Sequence, residues 1–315
     1  MDGFKTCTTA QLSQSEKQGI CALFQEGYHI EKSLEHFEQE FTNTCKGYSY
    51  HCIYKKDDRI LASFCIVPYE YFINGEKVLF GLSVDTIVIP EAKLGPFGVA
   101  DMAAETEKLA AEDGCSIVYG FPNDSFYEYC INVLEWKRIG VLDIYLVPFA
   151  LGKLKKGLSI LNFLRFFIIL FLYLCKVFSS SKEVAYPISK NDTELFRKGR
   201  YDKRHHFVKL KNGTAVYTLY QESFGPVAYI IDINPLSEKN FYEAFLTVAI
   251  EVKNQAAMIA YPSSRLPFGR IIRPLRRYLP RRLHLVACGM NGHELPELCR
   301  KLYNWRINLS DFDVR

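Results

Sequence analysis

Along the first 150 residues the apolar positions switch repeatedly between helical and strand-like spacing. Ser13 followed by Glu16 has the spacing of a capping box and predicts a helix from there to about Gly27, with a second helix over Glu31 to Thr44. The stretch YSYHCIYKKDDRILASFCIVPYEYF reads as a hairpin turning at Asp57-Asp58, and Asn74-Gly75 marks a second tight turn. Lys77 to Ile89, KVLFGLSVDTIVI, has the β-branched and aromatic content of a strand, which Pro90 ends. From Phe97 to Asp113 the spacing of Val99, Met102, Ala103, Thr106, Leu109 and Ala110 is helical, and Gly114 serves as its C-cap. CSIVYGF predicts a short strand, Asp124 to Leu134 a helix, and Trp136 to Phe149 returning strands. The order ααβββαβαβ predicts a mixed α/β sheet.

The pattern then breaks. Leu158 to Phe178 is almost wholly apolar, with Arg165 and Lys176 as its only charges, and Lys153, Lys155 and Lys156 precede it. Its length suffices to span a bilayer. However, Ser159, Asn162 and Arg165 form a polar stripe, which favours a helix buried between domains or lying in a membrane interface. From about Val184 the alternation resumes. Strands are expected at AVYTLYQ, VAYIIDINP, AMIAY and HLVACGM, and a helix over Asn240 to Ala257. This strand-strand-helix-strand order echoes the first half. The domains expected are therefore 1–150, a hydrophobic linker over 151–183, and 184–315.

The hydrophobic share of 49% and charged share of 23% fit a globular chain rather than a disordered or polytopic one. A net charge of +4 does not by itself indicate a nucleic-acid partner. None of the ten cysteines forms a CxxC pair, so no metal is expected. The opening MDGFKTCTTAQLSQSEK has no charged region followed by an apolar run, so no signal peptide is expected either. With dispersed cysteines, this suggests a reducing, cytoplasmic setting.

Val84 to Gly140 carries a more specific pattern. Ile87-Val88-Ile89-Pro90 ends a strand, and Lys93-Leu94-Gly95-Pro96-Phe97-Gly98 forms a basic, glycine-containing loop before the long helix. Asn123 follows the next strand in GFPN, and Leu134-Glu135-Trp136 precedes Gly140. This succession resembles the GNAT (GCN5-related) N-acetyltransferase superfamily. The resemblance implies a GNAT fold of the α/β (α+β) class, a mixed and mostly antiparallel sheet flanked by helices, here with two GNAT-like halves. It also implies that acetyl-CoA is the co-substrate. Backbone groups at Ile87, Val88 and Ile89 would meet the pantetheine and the acyl carbonyl. Lys93, Gly95, Gly98 and Val99 would cradle the pyrophosphate at a helix N-terminus, and Asn123 would lie beside the pantetheine. The loop departs from the family pattern: Gly95 stands where a basic residue is usual, unless Lys93 takes that role, and Pro96 removes one N–H donor. Ile131 occupies the place of the family's tyrosine acid, which leaves Tyr127 and Tyr129 as candidates, with Asp85 as a candidate base. The ending YNWRINLSDFDVR resembles the close of tandem GNAT proteins, where Asp311 and Asp313 are either acidic groups for an amine or a solvated turn.

These readings lead to an acetyltransferase acting on an amine, with an amino sugar of a surface-polysaccharide pathway, lipid- or nucleotide-linked, as the fitting acceptor. The alternatives are a FemABX-like aminoacyl or peptidyl transferase and a GNAT module that binds without chemistry. Residues 265–282, RLPFGRIIRPLRRYLPRR, hold seven arginines and no acid, interleaved with apolar residues. That composition suits an anionic membrane surface, reached through 158–178 and 265–282, or a phosphorylated acceptor; it fits nucleic acid poorly, because no reader motif backs it. The expected location is cytoplasmic, peripheral at the inner face of the membrane if those segments bind it.

Overall fold

A computed structural model describes residues 3–150, 152, 163–274 and 282–312. Lys153, Lys155, Lys156, Ser159, Asn162, the start of the apolar segment at 158–162, Arg276, Arg277, Arg281 and Asp313 lie outside the described residues.

The chain forms two compact units that interleave in sequence. One comprises Met1–Val141, Pro187–Arg200 and Leu283–Trp305; the other comprises Leu142–Tyr186, Tyr201–Arg282 and Arg306–Arg315. This differs from consecutive domains at 1–150, 151–183 and 184–315. The physical reason is strand pairing: a C-terminal strand enters the first sheet, and the strand after Val141 enters the second.

In the first unit, β1 (Gly3–Thr8) leads to α1 (Gln14–Tyr28) and α2 (Leu34–Thr42). Ser13 caps α1 through its side chain, and Glu16 returns the contact, as the capping box requires. Strands β2 (Tyr50–Lys56), β3 (Arg59–Ile73) and β4 (Glu76–Val88) form two successive hairpins. Asp57 and Asp58 turn the first with φ of 50° and 59°, and Asn74-Gly75 turn the second, also at positive φ. Then follow α3 (Pro96–Glu112), β5 (Cys115–Gly120), α4 (Asp124–Asn132) and β6 (Lys137–Val141). Gly114 ends α3 at φ 97°, a conformation that suits glycine.

The second unit starts with β7 (Asp143–Pro148) and α5 (Leu164–Val177). The chain then visits the first unit with β8 (Ile188–Lys190) and α6 (Glu194–Arg200), and returns as β9 (His206–Leu210), β10 (Gly213–Glu222), β11 (Gly225–Asn234), α7 (Glu238–Glu251) and β12 (Met258–Ser263). Finally, β13 (His284–Gly289) joins the first sheet.

The first sheet runs β1-β2-β3-β4-β5-β13-β6, and the second runs β7-β12-β11-β10-β9. Both are mixed and mostly antiparallel. Each holds one parallel pair, β4 with β5 and β11 with β12, and in each a helix connects the parallel strands. Both units share the order strand-strand-helix-strand, β3-β4-α3-β5 in one and β10-β11-α7-β12 in the other, the order on which the sequence echo rests. Helix α7 begins from a side-chain cap, Ser237 Oγ accepting from Asn240 N at 3.1 Å, with no glycine-rich loop before it.

Around the first sheet, Met102, Ala103, Ala110 and Ala111 of α3 pack with Phe64, Val118 and Val286 in one buried cluster. Trp305 is fully buried among Tyr71, Phe80 and Tyr119, and its indole Nε1 donates to the Cys299 carbonyl at 2.9 Å. In the second unit Asp311 is buried as well. Its Oδ2 accepts from Asn308 N at 3.0 Å, so the terminal turn is an internal brace rather than a solvated acidic group.

Candidate acyl-CoA site

The site is set by a mismatch between three strands. On β3, Ser63 opposes Ile87 and Cys65 opposes Val84, so Asp85 and Thr86 of β4 share one partner residue. This is a β-bulge, with Asp85 at φ 56°. On the other side, β4 and β5 pair in parallel up to Ser83 and Gly120. There β5 ends, while β4 continues through Val84–Val88 with β3 alone. Among the described residues no strand pairs with that edge of Val84–Val88. Its backbone amides can therefore meet an extended, amide-bearing chain without breaking a ladder. Ile87 and Ile89 bury their side chains and Val88 is half-buried between them. The last turn of α1 props the bulge from below. Tyr28 Oη donates to the Thr86 carbonyl at 2.7 Å, and Gly27 lies so close to Ile87 that a Cβ there would come within 2.6 Å of its Cγ2.

Beyond β4 the chain turns through Pro90–Ala92, with Lys93 exposed at φ 50°. Gly95 is the N-cap of α3, with open space around it. Pro96 at the first helical position has no N–H, and Gly98 N donates to the Gly95 carbonyl at 3.1 Å. The backbone cradle is thus thinner than a full glycine-rich loop. The helix dipole and Lys93 remain as attractions for phosphate, and Val99 continues the first turn half-buried. Tyr129 Oη donates to the Pro96 carbonyl, and burial pushes its pKa up to about 12. It therefore fastens α4 to the start of α3.

Asn123 has a local task. Its Oδ1 accepts from Phe126 N at 2.9 Å, and its carbonyl accepts from Tyr127 N at 2.8 Å, which makes it the N-cap of α4. The oxygen expected beside pantetheine is used for capping. Asp85 is likewise committed. Lys32 Nζ lies 3.0 Å from its Oδ2, pairs also with Glu40, and sits over the rings of Phe24 and Phe41 at 4.0 and 4.5 Å. All three charged groups are buried, so the Asp85 carboxylate neutralises a buried ammonium and holds the bulge, a role distinct from that of a base. His51 packs nearby against Phe37 and Phe41, and burial lowers its pKa to about 3.

Sequence reasoning missed a further group. His284, the first residue of β13, follows Gly120 in the geometry of the sheet, because Val286 opposes Gly120 in antiparallel register. Its Nε2 lies 3.0 Å from Asp124 Oδ1 at the start of α4, and its ring stacks on Tyr127 at 4.0 Å between centroids. The side chain is 7% exposed, and Nδ1 is buried with no hydrogen-bond partner among the described residues. With the Nε2 proton turned to Asp124, Nδ1 keeps its lone pair as a proton acceptor. Tyr127 thus supports this imidazole, while Tyr129, two residues on, faces α3. The structure does not bring Tyr127, Tyr129 and Asp85 together around one point.

Trp136, the tryptophan of the LEW segment, has a definite partner. Its Nε1 donates to Glu107 Oε1 of α3 at 3.1 Å. Burial raises the Glu107 pKa to about 7, and the indole bond only partly offsets it. A carboxyl raised on folding contributes stability that is complete below its ordinary pKa, 4.5, and is lost as pH rises through 7. In urea titrations the wild type is expected to lose on the order of 2–3 kcal/mol across that window through this group. Glu107→Gln should flatten that dependence; a variant that keeps the wild-type slope would show that Glu107 does not titrate there.

No family model and no curated protein sequence matches the chain. Solved structures do. The chain is similar to a GCN5-related N-acetyltransferase from Anabaena variabilis, with TM-score 0.57 and 12% identity over 90% of this chain and 72% of that one. It is similar to a GCN5-related N-acetyltransferase from Kribbella flavida, with TM-score 0.56 and 12% identity over 91% and 71%. Saccharomyces cerevisiae N-myristoyltransferase, solved with bound myristoyl-CoA, matches with TM-score 0.51 and 10% identity over 91% and 83%. The protein therefore has the GNAT fold along about 90% of its length.

Proposed function

We propose that the protein is an acyl-CoA-dependent N-acyltransferase, with acetyl-CoA as donor and an amine, such as a lipid- or nucleotide-linked amino sugar, as acceptor. The observation that carries this reading is the opening between β4 and β5 beyond Ser83 and Gly120, bordered by the start of α3. In that opening the pantetheine chain hydrogen-bonds the β4 backbone beyond Ser83, and the pyrophosphate lies at the N-terminus of α3 beside Lys93. The amine nitrogen attacks the thioester carbonyl, backbone N–H groups of the bulged strand receive the developing oxyanion, and as the C–S bond breaks the thiolate leaves and takes up the proton that the attacking nitrogen sheds. The acceptor ammonium must lose a proton first, and His284 Nδ1 is the group offered for it. The GNAT fold and the myristoyl-CoA seen in one neighbour support an acyl-CoA donor.

The test is thermal unfolding with CoA, acetyl-CoA and myristoyl-CoA, followed by free-thiol release with a panel of amines. A stabilisation by CoA and thiol release with acetyl-CoA are expected; no shift at millimolar CoA would overturn the reading. A module that binds acyl-CoA without turnover is the second reading, favoured by the missing Pro96 N–H and by Ile131 in place of a tyrosine. It predicts the shift without the thiol.

A further inference from the structure

Helix α5 reverses the usual arrangement of a surface helix. Leu172 and Cys175 are buried against the second unit's core, with Ile168 and Ile169 packed beside them. Phe163, Phe167, Leu170, Leu174 and Val177 recur at spacings of three and four on the opposite side, and they are 43–60% exposed. The two cations of this segment face the protein. Arg165 Nη1 donates to the Lys253 carbonyl at 3.4 Å, and Lys176 pairs with Glu243 of α7 at 3.0 Å. A helix packed on one side and bathed in water on the other carries its charges outward. Here the outward stripe is wholly apolar and largely aromatic, which is the composition of a surface made for an apolar medium.

The charge along the chain favours one medium. In sequence, Ile144 to Lys182 carries six basic residues and no acidic one, and Val252 to Arg282 carries Lys253, seven arginines and no acidic residue; Lys153, Lys155, Lys156, Arg276, Arg277 and Arg281 among them lie outside the described residues. These two stretches meet. Arg270 donates its N–H to Tyr242 Oη of α7 at 2.8 Å, and its side chain reaches Cys175 of α5. Phe268 packs on Phe241 in the same core, at 5.5 Å between ring centroids. Arg273 follows, its side chain 41% exposed, with Nη1 3.6 Å from Asp143 Oδ2, a distance that leaves its other guanidinium N–H groups open to phosphate. A second copy of this chain would bring like charges together around the apolar stripe. An anionic bilayer would instead receive the aromatic side chains below its headgroups and pair the arginines with phosphate.

We propose that the outward face of α5, flanked by Arg270 and Arg273, docks on the surface of an anionic phospholipid membrane and lies in its plane. Among the described residues no helix is long and apolar enough to cross a membrane, and α5 spans 14 residues. Because the other face of α5 packs on the core of its unit, the mode is interfacial, and it is independent of the donor-site reading.

The test uses the full chain without detergent, sedimented with vesicles of phosphatidylcholine alone or mixed with phosphatidylglycerol. Binding to the mixed vesicles is expected to be stronger by about tenfold, and added salt should weaken that binding alone. Phe167→Ser combined with Leu174→Ser should lower partitioning onto both vesicle types by about tenfold or more. Its melting temperature should stay unchanged, since both positions are exposed. Arg273→Ser should lower binding only to the anionic vesicles. Sedimentation velocity of the wild type decides against a protein partner. A dimer that the double variant dissolves would overturn the proposal, as would a wild type that ignores both vesicle types.

Discussion

Gly98→Asp is expected to abolish the stabilisation that CoA gives the wild type while leaving the free protein at least as stable. The two effects have separate causes. A carboxylate in the first turn of α3 stabilises the unliganded helix through its dipole, typically by about 0.3–1 kcal/mol. The same charge occupies the place where phosphate is needed and repels it. The new Cβ would come within 2.9 Å of Leu94 Cδ2, the end of a half-buried side chain that can shift. Ligand at about a hundred times its Kd should stabilise the wild type by about 2.7 kcal/mol, or roughly 5–10 °C in a domain of this size. Gly98→Ala adds the steric contact without the charge and should keep most of that shift. A Gly98→Asp protein with a full CoA shift would remove the phosphate from α3, and with it the donor assignment.

Much of this site was legible in the sequence because it is local. The strand ending near Pro90, the loop from Lys93 to Gly98, the helix closed by Gly114 and the cap at Asn123 all lie within one short stretch. Their signals are short-range too: glycine at positive φ, proline at the first helical position, and Asn at an N-cap. The bulge at Asp85 was not legible. An aspartate at φ 56° has no local turn signature in SVDTIVI, and it is held there by Lys32, more than 50 residues away in the chain. That distant partner also overturns the choice of Asp85 as a base, since a carboxylate reads the same in sequence whether or not an ammonium faces it.

The division into units failed to show for a related reason. HLVACGM is a strand by its own composition, but nothing in it states that it will enter between β5 and β6. Pairing partners are chosen by the whole sheet, so consecutive domains were the natural reading of the alternation alone. The internal repeat survived this shuffling because strand-strand-helix-strand is a local order, which both units keep. The apolar segment was visible at once. Its placement on one unit, with cations turned inward, required the contacts of Arg165 and Lys176.

The interleaving has a chemical consequence at His284. Because β13 is inserted beside β5, an imidazole from the far end of the chain comes to the place where β5 stops and α4 starts. Asp124 fixes the ring through Nε2, Tyr127 holds its face, and Nδ1 is left buried without a partner among the described residues. A buried, unpaired ring nitrogen costs folding free energy unless a ligand satisfies it, which is the reason to read it as a site for an incoming ammonium proton. His284→Gln keeps the polar shape and cannot take up that proton. It is expected to lower kcat/KM for the amine by about a hundredfold or more, within the range typical of a lost general base. The CoA-induced melting shift should be retained. Asp124→Asn should cost less, since it leaves the imidazole in place and weakens only its orientation. A His284→Gln enzyme with wild-type kcat/KM would assign this cluster to packing alone and would send the search for the base back to the bulge.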